Sequence, residues 1–192
     1  MRRDKRGERG ATLVEASIAY GLLFLTLFAI VEFGMAFKDW LSVSHASREG
    51  ARAGATFGQD LNADILVLRN VEATLDPIGL NAGDRVRVYR ANSPDLNEST
   101  TYAFAPGTGC ASNVIPALTG CCDWSPCPEF GRTTYVVPGW DPLDRDITSP
   151  DTDRLGVEVR YVHEWLTGYF GTTTDFTTST EFQIEPQLFD AS

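Results

Sequence analysis

Residues 9–38 read RGATLVEASIAYGLLFLTLFAIVEFGMAFK, and the rest of the chain is organised around this stretch. From Ala11 to Val31 there are 21 residues with a single charge, Glu15. An apolar helix needs about 20 residues to cross the hydrocarbon core of a bilayer. The run is long enough to span, and no later stretch is. Five cations precede it (Arg2, Arg3, Lys5, Arg6, Arg9) against two carboxylates, Asp4 and Glu8, a net charge of +3. Basic flanks stay on the cytoplasmic side, so the remainder is expected outside the cytoplasm. A secretory signal peptide has a shorter apolar core followed by a small-x-small cleavage site. This core is longer, and no Ala-x-Ala site follows it closely.

Glu15 does not suit a plain anchor. An acid at the centre of a membrane helix costs about 2.5–3.5 kcal/mol, less near an end, and marks a functional site by default. Its spacing from Gly10 suggests the function. A cut after Gly10 would make Ala11 a free amine, and Glu15 stands four residues on, one turn away on the same helix face. The carboxylate also lies near the positive end of the helix dipole. An unpaired charge in an apolar setting is expensive. A neighbouring copy of the same helix, shifted along its axis, offers an amine to one acid and an acid to the other amine. That predicts helices stacked in a staggered bundle.

Gly10-Ala11-Thr12-Leu13-Val14-Glu15 resembles the type IV prepilin cleavage motif: Gly, the cut, then Glu at the fifth mature position. The wider block is similar to the TadE-like pseudopilins of tight-adherence systems. The pieces that match are Arg6-Gly7-Glu8-Arg9-Gly10, the Val14-Glu15 pair, the apolar run, Glu32-Phe33-Gly34 and Ala46-Ser47-Arg48-Glu49-Gly50-Ala51-Arg52. The resemblance covers about residues 6 to 55. Ala16 stands where the family often has an aromatic, and Gly21 where many members carry proline. The resemblance implies processing by a prepilin peptidase, N-methylation of Ala11 and insertion into or priming of a pilus. It also implies partners among other pilins and pseudopilins and an assembly platform in the bacterial inner membrane.

The 192 residues suit one domain, or one with an appendage, and the formal charge is −10. An acidic exported head is a poor binder of nucleic acid. Cys110, Cys121, Cys122 and Cys127 fall close together, outside the membrane on this topology. An even count in an oxidising compartment reads as disulfides. Adjacent Cys121 and Cys122 poorly meet bridge geometry. That favours Cys110 with Cys121 or Cys122, and Cys127 with the other. A zinc site is the competing reading, but it lacks a C-x-x-C pair, and the only histidines are His45 and His163.

Three segments follow from this reading: a leader, 1–10; a long helix, 11–57, with its membrane span at 11–31; and an extracytoplasmic head, 58–192. The helix would run about 70 Å at 1.5 Å per residue. Gly21 either softens it or offers a packing notch. Beyond Lys38 the side chains shrink, with Ala46, Gly50 and Gly54 spaced by four, a seam that lets another backbone approach closely. The expected partner is the protein's own sheet. Gly58 stops the helix. Asp60 or Asn62 caps a second one, ending near Leu75 ahead of Asp76-Pro77.

Strands are expected at 85–90, at 155–165 and at 175–184, the last two forming an antiparallel hairpin around a turn at 166–171. Residues 92–153 read as an irregular, Cys-rich insertion, with one strand at 133–137. The class is α+β, a long helix on a small antiparallel sheet of three or four strands; the arrangement of these elements is what the resemblance implies.

Oxygen-rich loops hold Ca²⁺, which makes Asp141, Asp144 and Asp146 a candidate set within DPLDRDITSPDTD. The spacing is not that of an EF-hand, and no glutamate closes it. A solvated acidic loop is the simpler reading. No P-loop, dinucleotide fingerprint, zinc-protease motif or G-x-S-x-G elbow occurs, so no enzyme and no cofactor are expected.

Two functions remain in view. One is a pseudopilin or minor pilin processed after Gly10, taking part in assembly and adhesion, held in the inner membrane or carried outside in a pilus. The other is an extracytoplasmic ligand- or calcium-binding module on a permanent membrane tether.

Overall fold

The computed structural model describes residues 5–81, 83–93, 98–104, 130–134, 139–148 and 150–186. Helix α1 spans Lys5–Phe57 and α2 spans Ala63–Leu75. Five strands follow: β1 (Arg85–Arg90), β2 (Ser99–Phe104), β3 (Phe130–Thr134), β4 (Arg154–Glu164) and β5 (Thr173–Gln183). They form one antiparallel sheet in the order β3-β2-β1-β4-β5.

The expected α+β plan holds, with one more strand than anticipated. Part of the segment read as irregular, 92–153, supplies β2 and β3. Thr100 and Tyr102 alternate into the core from β2, a signal only two residues long and masked by surrounding polar residues. The strand expected at 133–137 overlaps β3, Phe130–Thr134, at residues 133 and 134; residues 135–138 and all four cysteines fall outside the described residues.

Helix α1 already begins at Lys5, so the end of the basic leader is helical. It stops at Gly58, whose φ of 47° places it in the left-handed region and whose N–H donates to the Gly54 carbonyl at 3.1 Å. No side-chain cap starts α2: Asn62 occupies the N-cap position without a side-chain bond, and Asp60 instead accepts the Asn62 N–H at 2.7 Å.

The second half of α1 and all of α2 cover one sheet face. From β4, Leu155, Val157, Val159 and Tyr161 point into this layer, as the alternation predicts, and His163 joins them. The small-residue seam on α1 meets α2 as well as the sheet. A Cβ on Gly50 would lie 2.7 Å from Val71 and 3.2 Å from Val157; one on Gly54 would lie 2.7 Å from Leu155 and 3.0 Å from Val67. Ser47 lies in the same seam, its hydroxyl donating to the Val157 carbonyl at 2.8 Å and bonded to the Thr180 hydroxyl at 2.9 Å. Side chains this small let α1 sit close enough for β4 and α2 to share one core.

The first half of α1 packs against little. Leu13, Ile18, Leu22, Phe24, Leu27 and Ile30 are all exposed. Its hydroxyls are satisfied within the helix: Ser17 donates to the Leu13 carbonyl at 2.6 Å, and Thr26 to that of Leu22 at 2.8 Å. Polar groups closed on their own backbone suit an apolar solvent.

Candidate functional site

The processing residues lie on the exposed part of α1. Gly10, Ala11 and Glu15 are all solvent-facing, with Ala11 and Glu15 one turn apart. A side chain added at Gly10 would meet nothing within 4 Å among the described residues. Gly21 is equally open. Helix α1 runs on through this position.

The base of the head meets α1 where the apolar run ends. Glu32, the first charge after that run, is 1% exposed. Its Oε1 accepts the N–H of Thr167 at 2.5 Å, from the turn that joins β4 to β5. Its Oε2 is buried without a hydrogen-bond partner among the described residues. Phe33 stands beside the same turn, 5.0 Å from the Phe170 ring and 6.0 Å from the Trp165 ring. Between turn and helix is a cavity of about 250 Å³, walled by Leu25, Phe28, Ala29 and Glu32 from α1 and by Thr167, Tyr169 and Phe170.

About two turns beyond Glu32, Asp39 Oδ2 lies 2.7 Å from Nδ1 of buried His163. A carboxylate only accepts, so Nδ1 carries the proton. The imidazole is held edge-on to Trp165 at 4.8 Å and stacked on Phe176 at 5.5 Å. Tyr161, the next inward residue on β4, donates to the Ile78 carbonyl at 3.2 Å. Burial pushes its phenol up to about 12, with Asp39, Asp84 and Glu164 adding to the shift. Asp84 is buried too, and burial raises its carboxyl above the usual range, against the N–H groups of Asn81 and Val162 that stabilise the anion.

The far end of the head is closed by a second buried charge. Arg145 is fully buried, paired with Asp64 of α2, and donates to the Gly58 carbonyl at 3.2 Å. Tyr102 completes the group by donating to the other Asp64 oxygen at 2.5 Å. The guanidinium also lies over the Trp140 ring at 4.8 Å.

The reading of 141–153 as a solvated acidic loop holds for Asp144 and Asp151, which are exposed, and is corrected at two positions. Arg145 and Asp153 are interior residues. Asp153 Oδ1 takes Arg90 of β1 at 2.6 Å, and its Oδ2 accepts the Asp146 N–H at 2.8 Å. The Asp146 carboxyl is held below its usual range by the Thr148 hydroxyl and N–H. These acids are engaged by the protein's own donors. Among the described residues, no group of three or more His, Cys, Asp or Glu side chains is placed to hold a metal ion, and Asp141, Asp144 and Asp146 do not form one.

The sequence reading singled out neither Glu32 with Thr167, nor Asp39 with His163, nor Arg145 with Asp64. Each pair joins residues far apart in the chain. A charge at a position whose periodic neighbours are apolar was the available signal, and Asp64 beside Ile65 and Leu68 carried it.

A family model described as TadE-like protein matches residues 10–52, from the proposed cut to the small-residue seam. No curated protein and no solved structure matches the chain. The sheet lies beyond the matched segment. An exposed apolar helix and this family together fit a membrane-anchored protein. The segment 10–52 is thus similar to TadE-like proteins, and the likeness extends over that segment.

Proposed function

We propose that the protein is a pseudopilin or minor pilin of a tight-adherence pilus-like system, structural rather than catalytic. It is held in the bacterial inner membrane by residues 11–31, with its head outside the cytoplasm. A prepilin peptidase cuts it after Gly10. The helix then assembles against other pilins on the membrane platform, and the head contributes to assembly and adhesion. One observation carries this reading. The 11–31 run is exposed along a helix whose buried positions, among the described residues, begin at Glu32, and it is preceded by Gly10 and opens with Ala11 and Glu15 in prepilin order. A free apolar helix needs either lipid or neighbouring helices to cover it. The acid near its start supplies register with a neighbour's Ala11 amine.

The protein isolated from a host with the peptidase should begin at Ala11 by intact mass and N-terminal sequencing. A Met1 start in that host would overturn processing and leave a tethered head. Glu15→Ala should leave cleavage intact and abolish recovery of the protein in sheared filaments; normal recovery would remove the amine-pairing role.

A further inference from the structure

We propose that the turn between β4 and β5, residues 165–172, is a second membrane contact: a foot that dips into the lipid leaflet beside α1. This rests on the reading of residues 11–31 as the membrane span.

The depth of the turn is fixed by its neighbours. Tyr169 and Phe170 share a cavity with Leu25, Phe28 and Ala29. Leu25 lies six residues before Val31, about 9 Å down the helix axis. A bilayer that covers the apolar run up to Val31 therefore also meets the turn.

The chemistry of the turn suits that position. From Trp165 to Thr174 there is no charged side chain. Leu166 is 70% exposed and Tyr169 78%, with Phe170 half exposed beside them. Phe33, Phe37 and Trp40 extend the exposed aromatic surface up α1. Tyrosine and tryptophan collect at the membrane–water boundary, where an apolar ring and a polar edge are both solvated.

Irregular backbone is tolerated at membrane depth only if its amides are satisfied. Here four of them are bonded within the protein. Trp165 N–H donates to the Thr172 carbonyl at 3.1 Å and Gly171 N–H to that of Gly168 at 3.3 Å. Tyr169 N–H donates to the Thr167 hydroxyl at 3.3 Å, and Thr167 N–H to Glu32 at 2.5 Å. The Glu32 bond also ties the foot to the helix. Two attachments, span and foot, fix how the head is presented above the bilayer, which a single flexible stalk would not do.

The test uses the full-length chain in vesicles of phosphatidylethanolamine and phosphatidylglycerol. Photoreactive p-benzoylphenylalanine is placed singly at Leu23 in the span, at Tyr169 in the foot, or at Leu143, beside Arg145 at the far end of α1. Mass spectrometry then reads the adducts. The expected result is lipid adducts at Leu23 and Tyr169 at comparable yield, and loss of them at Leu143. Adducts at Leu23 with none at Tyr169 would overturn the foot while leaving the span intact. Adducts at Tyr169 to protein rather than lipid would assign the surface to another subunit and overturn it equally. Equal lipid yield at Leu143 would show unspecific labelling and reject the proposal. An unlabelled Leu23 would remove the membrane span, and the foot with it.

Discussion

The two halves of α1 are one continuous helix in two different surroundings. Along residues 11–31 large side chains face outward, and hydroxyls bond their own helix. Along residues 43–55 the inward positions shrink to Val43, Ala46, Ser47, Gly50, Ala51, Gly54 and Ala55, and all are buried. The difference teaches what sets side-chain size on a helix. Where lipid or another subunit is the neighbour, bulk carries the favourable transfer energy. Where the chain's own sheet is the neighbour, bulk would push the sheet away. Glu32 marks the boundary, because there the head first bonds to the helix.

The strongest way to break this contrast is to unlock the packed half. Arg145→Ala leaves Asp64 charged and buried, and breaking such a pair costs about 3–5 kcal/mol. Urea unfolding of the head should show the loss. The apolar half of α1 should keep its far-ultraviolet helix signal in vesicles, because the chain's own packing does not hold it. A collapse of both together would show that the halves are coupled.

A smaller effect sharpens the contrast by putting the same methyl in both halves. Gly54→Ala places Cβ 2.7 Å from Leu155 and should cost about 1–3 kcal/mol by thermal or urea unfolding. Gly21→Ala meets nothing within 4 Å and should gain up to about 1 kcal/mol of helix propensity. Equal effects at the two sites would refute the comparison.

The smallest effect is alkaline. The Tyr161 phenol is raised in the fold to about 12 from an ordinary 10.0. Between those values the unfolded chain releases a proton that the folded chain retains. Stability is thus unaffected below pH 10 and falls as pH rises towards 12, by about 1–2 kcal/mol. Tyr161→Phe should flatten that decline in urea titrations across the interval. An unchanged slope would place the alkaline sensitivity elsewhere.

Local patterns were legible wherever a residue's neighbours in sequence are also its neighbours in space. The alternation of Leu155, Val157, Val159 and Tyr161 marks β4, the Ala46–Gly50–Gly54 spacing marks the seam, and Gly58 marks the helix stop. β2 was missed because its inward pair, Thr100 and Tyr102, is short and half polar. Two residues of the acidic stretch were misread because charge in sequence suggests water, and nothing local shows that Arg145 turns inward to Asp64 or that Asp153 meets Arg90. Asp141, Asp144 and Asp146 are not gathered into a metal-holding group among the described residues, and Asp146 bonds to Thr148 two residues on.

By itself the sequence determined the apolar span with its lone acid, the order Gly10–Ala11–Glu15 and the α+β class, because these depend on composition and on periods of two to four residues. Only the tertiary structure decided that five strands form the sheet, that α2 shares the small-residue seam, and that the β4–β5 turn hangs beside the span, tied to Glu32. Those outcomes depend on which distant groups can satisfy one another once water is excluded, and that is a property of the packed chain.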